Sequence, residues 1–384
     1  MSSETFDLAV PSDIRVGAGR VAEAPDVLTG WGARRVLLVT GRSPDRAAPL
    51  VAALAERGLD VSTFAVPGEP TIDVVREGTA AAAGHDAVVG FGGGSALDVA
   101  KAVAVLAVSG ADPLVHLEVI GEGRPITGPG LPCLAVPTTA GTGSEVTRNA
   151  VLAGDGVKAS LRSPWLLPRV AIVDPDLLTG LPAATVAASG MDALAQVIEP
   201  FLSRRANPFT DALARDGIVR SARSLRPAFT DGMQDAGVRA DLAVASLFGG
   251  LCLANAGLGA VHAFAAALGA RSGAPHGAVC AAVLAPALAV NLRAVRERGS
   301  HETLLRLTEL AVLLTGAVDA EPEDVADWVG DQTRALQIPG LATHGLADAD
   351  TAEVVAAAQR ASSMRGNPLD LTDDEVAEIL ARAR

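Results

Sequence analysis

A change of periodicity near residue 180 constrains this chain more than any other feature. Before it, short β-branched runs alternate with helix-like stretches. Val36–Thr40, Val61–Ala65, Ala87–Gly90, Cys133–Val136 and Val170–Val173 read as buried strands, with helices over Ala47–Gly58 and Ile72–Gly84. Such alternation builds a parallel sheet with helical crossovers, because parallel neighbours cannot be joined by a tight turn. After it, the chain is rich in Ala and Leu at a 3.6-residue repeat. Helices are predicted over Ala183–Leu202, Pro208–Ser224, Val238–Asn255, Ala278–Asn291, His301–Thr315, Glu323–Ala335 and Asp350–Ala361, with Pro, Gly and Asn as the breakers among them. With the boundary at Thr179-Gly180-Leu181-Pro182, the expected fold is an α/β N-terminal domain with a parallel sheet (1–181) and an all-α C-terminal domain (182–384).

Composition narrows the function classes. The net charge of -13 opposes a phosphate backbone or an anionic membrane, so neither nucleic acid nor membrane is an expected partner. Cys133, Cys252 and Cys280 are odd in number, widely spaced and free of C-x-x-C, which excludes a disulfide framework and a zinc–thiolate cluster by pattern. A reduced, cytoplasmic setting is expected. Met1–Val10 has acids and no apolar core, so no signal peptide is expected. Later apolar stretches are interrupted before about 18 residues, so no membrane span is expected either.

Three segments carry candidate chemistry. Phe91-Gly92-Gly93-Gly94-Ser95 leaves a strand and opens a helix that continues through Asp98 to Lys101. Glycines let backbone amides approach a ligand, and the helix start adds free N–H groups and a positive dipole end. That is an anion cradle suited to a pyrophosphate; the same run serves as a tight turn with Ser95 as a cap. The spacing is not G-x-G-x-x-G. Pro137-Thr138-Thr139-Ala140-Gly141-Thr142-Gly143-Ser144-Glu145 concentrates hydroxyls at the carboxyl end of a strand, where open parallel sheets bind ligands. Those hydroxyls suit a ribose or carboxamide, or else close the loop's own turns.

Asp192 and Gln196 stand i, i+4 on one helix face, and His262 and His276 lie fourteen residues apart. A carboxylate with two imidazoles suits Fe2+ or Zn2+ acting as a Lewis acid. A dipole-favouring Asp192, a core His262 and a loop His276 are the alternatives. His85, His116, His301 and His344 read as surface residues with no role.

Taken in order, these segments resemble the iron-containing (group III) alcohol dehydrogenase family, in a superfamily with maleylacetate reductase, glycerol dehydrogenase and dehydroquinate synthase. Val173-Asp174-Pro175, Gly190-Met191-Asp192-Ala193-Leu194 and Asn367-Pro368 complete the likeness, which covers essentially the whole chain. The resemblance implies an NAD(P)-dependent oxidoreductase transferring a hydride between nicotinamide and a small alcohol, aldehyde or ketone, with a homodimer or larger oligomer. It implies that Gly93, Gly94, Ser95 and Asp98 hold the pyrophosphate, that Thr138, Thr139 and Thr142 lie near the nicotinamide and its ribose, and that Lys158 reaches the coenzyme.

Asp192, His262 and His276 match three of the family's four metal ligands. The fourth is Gln196, where the family has His, and Ala266 stands where many members have another histidine. An amide oxygen is a weaker donor than imidazole, so metal affinity should fall. His262 and His276 are also the expected catalytic groups: as metal ligands, or, without metal, one as the acid that protonates the alkoxide. After the first strand, Gly41 stands where NAD-specific relatives carry Asp, and Arg42 and Ser43 suit a 2′-phosphate, which favours NADP over NAD. An oxo-acid reductase like maleylacetate reductase is the alternative within the class, with Arg271 and Arg365 as a carboxylate clamp. A lyase or cyclase like dehydroquinate synthase, and a non-catalytic nucleotide-binding homologue, are the alternatives outside it.

Overall fold

The structure, a computed structural model, describes residues 5–154, 157–269, 275–346 and 350–384. The chain divides into two compact units. One is Ala9–Thr139 with Gly143–Leu178; the other is Thr179–Arg384 with Ala140–Thr142 and the chain up to Leu8.

Among the described residues the first unit holds eight strands: β1 (Asp13–Val16), β2 (Arg35–Thr40), β3 (Asp60–Ala65), β4 (Ala87–Gly92), β5 (Cys133–Pro137), β6 (Asn149–Gly154), β7 (Val157–Arg162) and β8 (Val170–Val173). Six form a parallel sheet in the order β1-β8-β5-β4-β2-β3, while β6 and β7 make an antiparallel ribbon. Helices α1 (Ala24–Gly30), α2 (Ala48–Glu56), α3 (Ile72–Ala81), α4 (Gly94–Ser109) and the single turn α5 (Pro113–His116) connect them. Alternation along β2 shows why the sheet is covered on both faces. Leu37 and Val39 join a core with Val99, Val103 and Leu106 of α4, whereas Val36 and Leu38 join the opposite core with Leu28 of α1 and Leu54 of α2. A Cβ at Gly90 would come 2.9 Å from the Ala100 Cβ, so α4 lies directly on β4.

Strand order positions the glycine turn. From β2 the chain steps to β3 at one edge, then returns to place β4 on the other side of β2. The turns after β2 and β4 therefore leave in opposite directions, opening the crevice where doubly wound sheets bind ligands.

The second unit is helical: α6 (Ala183–Leu202), α7 (Pro208–Asp231), α8 (Ala236–Ala256), α9 (Ala260–Gly269), α10 (His276–Arg298), α11 (His301–Thr315), α12 (Asp324–Ala335), α13 (Thr351–Arg360) and α14 (Asp373–Ala383). Helix α6 packs against α7, α8 and α10. Two helices run further than the sequence reading: α7 passes through Pro227 to stop at Gly232 (φ 64°), and α10 runs through Pro286 from His276 to Arg298. Tertiary packing holds both past a proline that would end an isolated helix. Contrary to expectation, α8 and α10 are long and apolar enough by length and composition to cross a membrane. They are core helices instead, with 56% and 72% of their apolar windows buried within the fold.

Candidate active site

The glycine turn has the geometry of a ligand cradle. Gly93 precedes α4 in extended conformation (φ -76°, ψ -175°), and Gly93, Gly94 and Ser95 are half-buried. A Cβ at Gly92 would meet the Ala96 Cβ at 2.7 Å and the Gly41 nitrogen at 3.2 Å, so the turns after β4 and β2 nearly touch. At Gly93 it would come 3.1 Å from Thr139 Oγ1. Thr138 is buried and its N–H donates to the Gly92 carbonyl at 2.9 Å. At the end of β2, Thr40 Oγ1 is buried without a hydrogen-bond partner among the described residues, beside a half-exposed Gly41 and exposed Arg42 and Ser43. An unpaired hydroxyl and a glycine-walled crevice fit a dinucleotide.

Two other expected coenzyme residues have protein partners. Asp98 accepts from Ser144 Oγ at 2.5 Å and the Val151 N–H at 2.9 Å, and pairs with Lys101 Nζ at 3.0 Å. Lys158 Nζ pairs with Glu69 at 2.7 Å. Lys101 is fully buried, donating to the carbonyls of Ser144 and Asn149 and to Thr147 Oγ1. It staples the loop after β5 to α4. In that loop, burial pushes the carboxyl of Glu145 up to about 7.

In the helical unit, Asp192, His262 and His276 converge. Asp192 Oδ1 lies 3.3 Å from His262 Nε2 and 3.8 Å from His276 Nε2. Two features bring them together. A Cβ at Gly277 would collide with the Ala188 carbonyl oxygen, so the start of α10 lies against α6 beside Asp192. The start of α9 is capped from outside: the Val261 N–H donates to Glu199 Oε1 at 2.7 Å and the Ala260 N–H to Asn367 Oδ1 at 3.2 Å. Asn367 is in turn paired with Asn291, which gives the Asn367-Pro368 segment a structural part in holding His262.

Sequence reasoning missed Glu199 and Cys280. Glu199 Oε2 accepts from His262 Nδ1 at 2.6 Å. That assigns the proton to Nδ1 and leaves the Nε2 lone pair facing the Asp192 carboxylate, an arrangement that needs a proton or a cation between them. Cys280 Sγ lies 3.9 Å from His262 Nε2 and 3.7 Å from His276 Nε2, and the four ligand atoms are within 4.8 Å of one another. The available signal was the i, i+4 spacing of His276 and Cys280. Burial works against charge on His262, but Cys280, Glu199 and Asp192 outweigh it and raise its pKa well above the usual imidazole value. Burial likewise raises the Cys280 thiol, and the imidazoles of His276 and His262 more than reverse it.

Gln196 shares the buried face of α6 with Asp192. Its Nε2 donates to the Gly141 carbonyl at 3.0 Å, and its Oε1 is buried without a partner among the described residues. Converging acceptors, a locked tautomer and an orphan amide oxygen fit a divalent cation. Arg365 is exposed, and Arg271 lies outside the described residues. Of the four histidines given no role, His301 is exposed, while His85, His116 and His344 are half-buried.

Comparisons with known proteins agree with this chemistry. Residues 11–175 match the iron-containing alcohol dehydrogenase family, and residues 186–384 match the C-terminal domain of the Fe-containing alcohol dehydrogenase family. A 4-hydroxybutyrate dehydrogenase of Cupriavidus necator is 36% identical over 363 residues, covering 92% of this chain and 93% of the relative. The solved structure of a 1,3-propanediol oxidoreductase superposes with a TM-score of 0.91 at 32% identity, over 99% of this chain and 100% of the other. That of a sulfoacetaldehyde reductase from Bifidobacterium kashiwanohense in complex with NAD+ gives 0.87 at 28% identity, over 99% of each chain. The chain belongs to the iron-containing alcohol dehydrogenase family, and it is an NAD(P)-dependent oxidoreductase of small alcohols and their carbonyl partners.

Proposed function

We propose that residues 1–181 bind the coenzyme, that residues 182–384 bind a metal ion and the substrate, and that the chain interconverts a short primary alcohol and its aldehyde. The observation that carries this reading is the convergence of Asp192 Oδ1, His262 Nε2 and His276 Nε2, with Glu199 fixing the His262 tautomer. Asp192, His262 and His276 would hold Fe2+ or Zn2+, with Gln196 beside them on α6. The ion supplies Lewis acidity toward the substrate oxygen, and the nicotinamide supplies or accepts the hydride.

The protein's own groups bind and orient. Amides of Gly93, Gly94 and Ser95 take the pyrophosphate at the start of α4. Thr138, Thr139 and Thr142 serve the nicotinamide end. Asp98 acts through the loop it holds, since its carboxylate is engaged by Lys101, Ser144 and Val151. Lys158, paired with Glu69, lines the coenzyme site from β7. Gly41, Arg42 and Ser43 favour NADP(H), because no carboxylate repels a 2′-phosphate there and a guanidinium attracts it. His276 is the more exposed of the two imidazoles, with 34% of its side chain accessible against 7% for His262. It is therefore the group that exchanges protons with the substrate oxygen when no ion intervenes.

Short ω-hydroxy acids and diols are the substrates to try first, since relatives are named for such compounds. Three free, buried cysteines suit a cytoplasmic protein, and the assembly is read as a homodimer or larger. The test is His276→Ala. It should abolish turnover with aldehydes while leaving NADP(H) affinity unchanged; wild-type rates in that variant would overturn the assignment.

A further inference from the structure

We propose that Cys280 supplies the fourth protein donor of the metal centre, in the place where the family has an imidazole at position 196. The inference rests on the metal-binding reading of Asp192, His262 and His276 and deepens it.

Geometry carries the case. A tetrahedral ion with bonds of roughly 2.0 Å to nitrogen or oxygen and 2.3 Å to sulfur separates its donors by about 3.3–3.6 Å. The observed separations follow that pattern with slight expansion: 3.3 Å from Asp192 Oδ1 to His262 Nε2 and 3.8 Å to His276 Nε2, then 3.9 and 3.7 Å from Cys280 Sγ to the Nε2 atoms of His262 and His276. Sulfur therefore belongs to the same cluster, in which all four donor atoms lie within 4.8 Å of one another. Gln196, by contrast, has its amide nitrogen tied to the Gly141 carbonyl, which leaves only its oxygen for an ion, and a neutral amide oxygen is a weaker donor than a thiolate.

Sequence and fold make the substitution workable. One turn of α10 sets Cys280 on the same face as His276, so a single rigid helix presents both donors. Loss of imidazole from α6 is thus compensated from α10. The resulting donor set, one carboxylate, two imidazoles and one thiolate, is softer than one completed by an imidazole. It shifts the preference of the site toward zinc.

Cobalt(II) loaded into the metal-stripped full-length protein tests this directly, because a cysteine ligand adds a thiolate-to-cobalt charge-transfer band in the near ultraviolet. The wild type should bind one cobalt per chain and show the band. Cys280→Ser should lose the band and bind zinc roughly 100-fold or more weakly, with unchanged circular dichroism. Gln196→Ala should keep the band. One cobalt per chain without the band would overturn the role of Cys280 while leaving the metal site standing. No stoichiometric binding of cobalt, zinc or iron would overturn the metal reading itself, and the role of Cys280 with it.

Discussion

Lys101→Met removes the charge that staples the loop after β5 to α4, and its cost can be worked from the structure. The ammonium has no exposed side-chain surface and lies 3.0 Å from Asp98 Oδ1. At an effective dielectric near 20 that pair attracts by about 5 kcal/mol, from which burial takes back a part. Its three hydrogen bonds reach Ser144 O (2.9 Å), Thr147 Oγ1 (3.0 Å) and Asn149 O (2.5 Å). Methionine matches the length of the stem but leaves two buried carbonyls and a carboxylate without their cation. Removing one partner of such a pair costs about 3–5 kcal/mol, a large share of the roughly 5–15 kcal/mol that holds a domain folded. Urea unfolding followed by fluorescence is the assay. A Trp328→Phe background leaves Trp31 and Trp165, both in the α/β unit, as reporters. With a slope near 2 kcal/mol per molar, the midpoint should fall by about 1.5–2.5 M. Adding Asp98→Asn should cost less than the sum of the single changes, since no uncompensated charge is then left. A midpoint shift worth under about 1 kcal/mol would refute the staple.

Other predictions follow from the same geometry. Glu145 holds a proton in the folded state from pH 4.5 up to about 7, a range in which the unfolded chain has released it, so stability should fall as pH rises through that window and then level off. Glu145→Gln should therefore unfold at higher temperature than the wild type at pH 8, by about 3 kcal/mol of stability, and show little gain at pH 4.5; a gain independent of pH would contradict this. Glu199→Gln should weaken metal binding by about 10–100-fold, read by chelator competition, because one neutral amide oxygen cannot accept from both the Val261 N–H and His262 Nδ1 as the carboxylate does. At Gly41 an added Cβ meets nothing within 4 Å, so Gly41→Asp should fold normally and shift the kcat/KM ratio from NADPH toward NADH; an unchanged ratio would remove this turn from coenzyme selection.

Much of the fold was legible because punctuation and packing coincide. The bounds of 170–173, 183–202 and 301–315 agree between sequence and structure, each with Pro, Gly or Ser within two residues of its ends. Elements without such marks were missed. β1 is three half-buried residues and an exposed Val16 at a sheet edge, and β7 alternates around Lys158 and Ser160 without a β-branched run. α9 is apolar on nearly every face and so shows no periodicity. Within the site, the spacing of Asp192, His262 and His276 marked them only as candidates beside plain structural readings, and it was the family resemblance that joined them; the structure brings the three side chains together. Glu199 could not be found, because its partner His262 is 63 residues away and only the packing of α6 on the start of α9 brings them together. Cys280 belongs to no paired-cysteine motif, and its relevant neighbour is His276, one helical turn before it on α10.

Isotope transfer tests the central claim most directly. NADPH deuterated at both C4 positions, incubated with the protein and a short aldehyde, should yield an alcohol carrying one deuterium on its carbinol carbon for each coenzyme oxidised. Coenzyme oxidised without deuterium in the alcohol, or no alcohol formed across a panel of aldehydes with either reduced coenzyme, would contradict it.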